Sequence, residues 1–229
     1  VNQEGIKNHL DGVYAEVEEH LGIKLRGCFF AGGCIVSLVN DEEISDYDLW
    51  FEREIEVDRV LAFVKNPKRK SRFSVTIELA SGKLVQLVKT RCLGSPEATV
   101  GTFDFQHTQA FYTRAGRLWC DEEFLKKKML VYNQGNRDHL TNTMERMFKF
   151  VRRGYFVNKK TIVDFLLDAH EVSVEAIAEG RRIPGKTNNG EKENENSSSS
   201  SDGNSVSSRS TRRYGVQDFS HNHLRGGSR

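Results

Sequence analysis

The sequence predicts an α+β fold, a mixed sheet flanked by helices, followed by a small helical annex and a disordered tail. Three observations predict it. Short apolar runs suited to strands recur between residues 28 and 105, broken by glycine turns. From Asp121 onward the apolar spacing becomes helical. From Pro184 to Arg229 the only apolar side chains are Val206, Tyr214, Val216, Phe219 and Leu224. So little apolar area cannot offset the entropy of ordering that stretch. The expected divisions are a mixed α/β-layered domain over 1–120, a helical annex packed on it over 121–183, and a Ser/Asn/Arg-rich tail over 184–229.

The elements follow in order. Ile6, Leu10, Val13, Tyr14 and Val17 recur at helical spacing and predict an amphipathic opening helix from about Gly5 to His20. Cys28 to Ala31 is too short for a helix and reads as a strand, stopped by Gly32-Gly33 and followed by a short helix through Val39. After a polar loop, Tyr47 to Phe51 alternates with period two and is a second strand. Val57, Val60, Leu61 and Val64 form another helical stripe. Phe73 to Leu79 and Leu84 to Val88 flank Ser81-Gly82-Lys83 and predict a hairpin. Leu93 to Val100 reads as a loop, Thr102 to Phe105 as a short strand or sheet edge. Helices are expected over Asp121 to Val131, about Leu140 to Arg153, and about Lys160 to Glu179.

The chain has 229 residues and a formal net charge of +2, from 34 Lys and Arg against 32 Asp and Glu. The tail, with seven basic and five acidic residues, carries all of that excess. The remainder is neutral, so a nucleic-acid partner would be held by local basic patches rather than by a global field. Cys28, Cys34, Cys92 and Cys120 show neither Cys-x-x-Cys pairing nor a His at metal-ligand spacing. They predict reduced thiols in a reducing, cytoplasmic setting, with no disulfide-linked partner. No apolar run approaches membrane-spanning length, so no membrane association is expected.

The chemistry centres on Gly32-Gly33, a helix-forming stretch, a polar loop, and Asp46-Tyr47-Asp48 entering a strand. Two glycines let backbone N–H groups approach a ligand, and a helix starting there aims its positive end at it. A triphosphate suits that place. Asp46 and Asp48, two apart on a strand, project from one face and can share a hard cation such as Mg²⁺ or Mn²⁺. Cations held this way stabilise an in-line displacement at phosphorus, so the implied reaction is nucleotidyl transfer from a nucleoside triphosphate. Ser37, one helical turn beyond Gly33, is a candidate phosphate ligand.

These residues resemble the nucleotidyltransferase superfamily, DNA polymerase beta-like, and within it most nearly the head domain of CCA-adding tRNA nucleotidyltransferases and bacterial poly(A) polymerases. The match runs through Phe30-Ala31-Gly32-Gly33 and Asp46-Tyr47-Asp48-Leu49, with a weaker likeness from Asp104-Phe105 to Ala110-Phe111-Tyr112. A group of phage proteins is similar in Gly94-Ser95-Pro96-Glu97 and Phe103-Asp104-Phe105. The resemblance covers roughly residues 25 to 155. It implies a tRNA-like RNA acceptor, catalytic Asp46, Asp48 and a third carboxylate, metal on Asp46 and Asp48, and nucleotide contacts at Gly32, Gly33 and Ser37. The strand that carries the third acid in such folds corresponds to Leu84 to Val88, which offers Gln86 instead. Asp104 is the preferred replacement and Glu78 the alternative. Val36 and Ser37 stand where that family has Arg-Asp, Thr102-Phe103 where it has Arg-Arg, and no base-selecting Glu-Asp-x-x-Arg-Arg motif is present.

The helix near residue 146 is expected to bury Met144, Met147, Phe148 and Val151 on one stripe and to leave Arg146, Lys149 and Arg153 on another; with Arg152 these are candidate RNA-binding residues. The Lys65 to Arg72 patch reads as a loop because of Pro67. Trp50 and His107 are expected in the core. Two other functions remain open: AMP transfer to a protein side chain, and nucleotide or RNA binding without catalysis, which Gln86 would suit.

Overall fold

The computed structural model describes residues 2–134 and 140–179; the tail read over 184–229 lies outside the described residues. The first helix, α1 (Gln3–Leu21), starts at Asn2, whose side chain accepts from the Gly5 N–H at 2.8 Å, and stops at Gly22 with φ 69°. Its buried stripe is Ile6, Leu10, Val13, Tyr14 and Val17, as the spacing predicts. Then come β1 (Cys28–Ala31), α2 (Gly33–Val39), β2 (Tyr47–Phe51), α3 (Glu54–Leu61), β3 (Arg69–Lys70), β4 (Ser74–Glu78), β5 (Leu84–Val88) and α4 (Pro96–Gly101). A 3-10 turn (Gln106–Thr108), β6 (Phe111–Thr113), β7 (Leu118–Trp119) and α5 (Glu122–Lys126) follow. The last elements are β8 (Met129–Leu130), α6 (Leu140–Arg152), β9 (Phe156–Val157) and α7 (Lys159–Ala178).

Seven strands form one mixed sheet in the order β3-β4-β5-β2-β1-β6-β7, antiparallel except for the parallel pair β2 and β5. The α+β class is therefore observed. Along β2, Tyr47, Leu49 and Phe51 are buried on one face while Asp48 and Trp50 are half-buried on the other. The first face packs with Tyr14, Phe30, Ile35, Leu87 and α1 in the main core. The second carries a smaller cluster of Phe29, Ala31, Val100 and Phe111, with Trp50 and Phe103 against it. Asp48 stands opposite Gln86 in the parallel register, so the site sits on this second face, between its small core and α6.

Several elements differ from the sequence reading. Leu93 to Val100 is not all loop: Ser95 accepts from the Ala98 N–H and Pro96 occupies the first turn, which starts α4. Thr102 to Phe105 is not a strand; it is a turn, and only Phe105 makes an isolated bridge, to Tyr132. The helix expected over Asp121 to Val131 ends at Lys126. Lys128 turns left-handed at φ 49°, and Met129-Leu130 then pairs in parallel with Phe156-Val157. The sequence reading missed this second sheet, and also β3, β6 and β7, because two- and three-residue strands carry too little alternation to see. No described helix is long and apolar enough to cross a membrane.

Candidate active site

A cleft of about 550 Å³ opens on the second face of the sheet, a volume suited to a nucleotide. It is lined by Gly32, Gly33, Ser37, Asp46, Asp48 and Gln86 from the sheet side, and by Arg146 and Lys149 from α6 and Arg153 in the turn that follows it. Gly32 has φ 80°, in the left-handed region that favours glycine, and a Cβ there would lie against the Phe103 ring at 3.4 Å. Its own N–H donates to the Ala110 carbonyl at 3.0 Å and its carbonyl accepts from Ile35 and Val36. The groups left for a ligand are the N–H groups of Gly33 and Cys34 in the first turn of α2. A Cβ on Gly33 would meet nothing within 4 Å, so the space before them is open.

Asp46 and Asp48 face the cleft together. The Ser45 hydroxyl donates to one Asp46 oxygen at 2.6 Å and the Gln86 amide donates to the other. Burial first, and the Asp46 charge second, push the Asp48 carboxyl up to about 7, while Lys149 and Arg146 pull it partly back. A carboxylate so reluctant to ionise beside another is what a divalent cation would relieve. The donor set fits Mg²⁺, which takes one or two carboxylates and completes its shell with phosphate and water oxygens.

Asp104 reaches the cleft wall but not a three-acid cluster. Its carboxylate, 8% exposed, accepts from Arg146 Nε at 2.6 Å. Among the described residues no three of His, Cys, Asp and Glu converge into a group that could hold a metal. Glu78 pairs with Lys68 at 2.7 Å and does not line the cleft. Ser37 is buried and accepts from Arg153 at 2.8 Å, and Arg153 also pairs with Glu42 at 2.7 Å.

Of the four basic residues proposed for RNA, Arg146, Lys149 and Arg153 line this cleft, whereas Arg152 is exposed outside it. Trp50, expected in the core, is a cleft-wall residue tilted against Phe103 at 5.2 Å between centroids. Placing its ring on the second face of β2 leaves it half covered. His107 is buried, as expected, among Phe150, Tyr155 and Phe105. The sequence reading missed Arg91, whose guanidinium donates to the Thr102 carbonyl and hydroxyl at 3.2 and 3.1 Å from a left-handed backbone of φ 61°. No local pattern marks such a residue.

The family model of the Gabija anti-defense 2 family protein matches residues 4–129, which include Gly32, Gly33, Asp46, Asp48 and Asp104. This chain belongs to the Gabija anti-defense 2 family. The Gabija anti-defense 2 protein of Bacillus phage SPbetaL7 is 23% identical over 180 residues, covering 73% of this chain and 44% of that protein. Among solved structures, the Bacillus stearothermophilus CCA-adding enzyme in complex with CTP superposes with a TM-score of 0.51 at 15% identity, over 72% of this chain and 44% of that one. The Thermotoga maritima CCA-adding enzyme complexed with tRNA gives 0.51 at 13% identity, over 73% and 43%. This Gabija anti-defense 2 chain thus has the nucleotidyltransferase fold and spans less than half the length of the relatives it matches.

Proposed function

We propose that the chain is a metal-dependent nucleotidyltransferase that transfers a nucleoside monophosphate from a nucleoside triphosphate to an acceptor, in the service of anti-defense. The observation that carries this is the pairing of Asp48, its carboxyl pushed up to about 7, with Asp46 across a cleft from Arg146, Lys149 and Arg153. Acids on one wall and cations on the other match a triphosphate with its divalent ion. Asp46 and Asp48 would hold Mg²⁺ or Mn²⁺, which supplies charge neutralisation at the reacting phosphorus.

The chain's own residues supply the rest. The N–H groups of Gly33 and Cys34 and the cations of α6 orient the triphosphate. The acceptor hydroxyl gives up its proton to water as its oxygen bonds to the α-phosphorus, the bond from that phosphorus to the oxygen bridging to the β-phosphate breaks, and pyrophosphate leaves against Arg146, Lys149 and Arg153. Asp104 acts as a positioning residue that holds Arg146 over the cleft. On this reading Arg146, Lys149 and Arg153 serve phosphates of the nucleotide rather than an RNA backbone.

The acceptor is proposed to be RNA, supported by the likeness in fold to enzymes solved with CTP and with tRNA. One observation favours a second reading, nucleotide binding without transfer: the Gln86 amide donates to Asp46 where a third acid would otherwise stand. Purified chain with Mg²⁺ or Mn²⁺, each labelled nucleoside triphosphate, and either RNA or protein separates these. Label on RNA that disappears in Asp46→Ala with Asp48→Ala supports the first reading. Label on protein moves the acceptor to a side chain, and nucleotide binding with no label on either supports the second reading.

A further inference from the structure

The cleft has two chemically different ends. Gly33, Ser37, Lys149 and Arg153 line one of them, and Trp50, Phe73, Ser74, Val88 and Arg91 line the other. The register of the sheet keeps them apart. Phe30 pairs with Leu49 in antiparallel sense, so the glycines that follow β1 lie at the Asp46 end of β2. Asp48 stands beside Gln86, and Trp50 and Val88 lie two residues further along the same two strands, with Ser74 opposite Val88.

This polarity gives the reaction a direction. In a displacement at phosphorus the entering and leaving oxygens are in line, so the acceptor arrives from the side opposite the departing pyrophosphate. With the pyrophosphate against Lys149 and Arg153, the acceptor enters past Asp48 from the Trp50 end.

Aromatic rings and cations gather at that end. The Ser71 N–H donates to the Ser74 carbonyl at 2.9 Å and closes the turn between β3 and β4. The turn sets Phe73, 41% exposed, in the cleft wall, with the Arg72 guanidinium 4.3 Å from its ring centroid. Beyond the turn lies β3, the outermost strand of the sheet. Arg69 pairs with Thr76, Thr76 with Gln86, and Gln86 with Asp48, so the four form one row on the cleft face. Three strand spacings, about 14 Å, separate Arg69 from Asp48. From Lys65 to Glu78 the chain holds Lys65, Lys68, Arg69, Lys70 and Arg72 against one acid, Glu78, which Lys68 takes at 2.7 Å. Among the described residues Arg69 and Lys70, both exposed, pair with no carboxylate.

We propose that the Trp50 end of the cleft, with the Ser71–Ser74 turn and the β3 edge, is the acceptor site, and that it takes the unpaired 3′ end of an RNA strand. The terminal base lies against Trp50 and Phe73, and the phosphates behind it run over Arg72 and Arg69. An acidic protein surface would answer the cations but leave the rings without a role. The inference rests on the transferase reading for the direction of entry and narrows its acceptor to a strand with a free, single-stranded end.

Fluorescence anisotropy of a 5′-labelled single-stranded oligoribonucleotide, titrated with the full chain without nucleoside triphosphate or divalent ion, tests the site apart from catalysis. Binding should weaken steeply with added salt and persist in Asp46→Ala with Asp48→Ala. Arg69→Glu with Arg72→Glu, and separately Phe73→Ala, should each weaken it about tenfold. Lys126→Glu with Lys127→Glu makes the same change of charge on α5 and should alter it by less than about twofold. A blunt duplex should bind several-fold more weakly, and 4-thiouridine at the 3′ end should cross-link under near-ultraviolet light to the peptides holding Trp50 or Phe73. No binding, binding indifferent to the β3 and turn variants, or a cross-link to α6 overturns the proposal; in the second case the cations only guard an open sheet edge. Binding and cross-linking as expected, with no label transferred, would remove the transferase reading and leave the RNA site. Label transferred to RNA equally well by Phe73→Ala and by Arg69→Glu with Arg72→Glu would do the reverse.

Discussion

The sheet and the α6–α7 region bury their apolar residues to very different degrees. In the sheet, Phe30, Leu49, Ile77, Val85 and Leu87 are fully covered on the face that α1, α2 and α3 seal, and Phe29 and Phe111 are fully covered on the other. In α6, Met144, Phe148 and Val151, which the spacing predicts to be buried, are 42%, 55% and 44% exposed because the helix buries Thr143 and Phe150 instead, and in α7 Leu166, Leu167 and Ile177 are exposed as well. Two ties between α6 and the sheet region are ionic or polar: Arg146 to Asp104, and Arg153 to Glu42 and Ser37. The apolar anchor is local, Phe150 with His107, Tyr155 and Phe105. The difference teaches that the wall carrying Asp46 and Asp48 is held by a full core, while the wall carrying the cations is held by a few side chains, some of which belong to the cleft itself.

Removing the anchor breaks the comparison hardest. Phe150→Ala should cost about 3–5 kcal/mol. Hydrogen exchange should show the loss in α6 amides first, with β1, β2 and β5 keeping their protection until global unfolding. Equal loss in both regions would mean that they unfold as one.

Acid should act next. Burial, and then the Arg153 charge, push the His107 imidazole down to about 3 from 6.5, and its two nitrogens have no hydrogen-bond partner among the described residues. Below pH 6.5 the unfolded chain takes up a proton that the folded chain refuses until about pH 3. Stability is therefore complete above 6.5 and falls as the pH drops, by about 2 kcal/mol between pH 6.5 and 5. Denaturant titrations of the parent chain and His107→Phe should differ by that slope. On the sheet side, burial works to raise the Glu18 carboxyl, but Arg114, Lys24 and the Leu25 N–H outweigh it and hold it at about 2. That contribution is present above 4.5 and is lost only as the pH falls toward 2.

Smaller effects sharpen the contrast. Arg146→Ala should cost about 1 kcal/mol, since its guanidinium is half exposed, and should speed exchange in α6 while weakening nucleotide binding. Asp48→Asn should do the reverse on the opposite wall. Because the folded-state carboxyl is raised to about 7, its favourable contribution is present at low pH and disappears as the pH rises through 7. In metal-free protein at pH 8 the substitution should therefore raise Tm by a few degrees.

The local features were legible in the sequence. The stripe of α1, the strand-Gly-Gly-helix turn and Asp46-Tyr47-Asp48 entering β2 all depend on residues a few positions apart, where periodicity and glycine's freedom act directly. Ser95-Pro96 was a readable start signal for α4, while the two-residue strands β3, β7, β8 and β9 offered no pattern long enough to read.

What tertiary structure alone decided is which faces meet. Arg146, Lys149 and Arg153 read as an outward basic stripe, yet α6 packs so that they close the cleft opposite Asp48, about a hundred residues earlier in the chain. Asp104 read as a third acid, yet Arg146 takes its carboxylate, and Gln86 bonds Asp46 only because β2 and β5 lie parallel and adjacent. A sequence specifies each element through neighbours within a turn or two, whereas the pairing of walls across a cleft depends on the packing of many distant side chains at once.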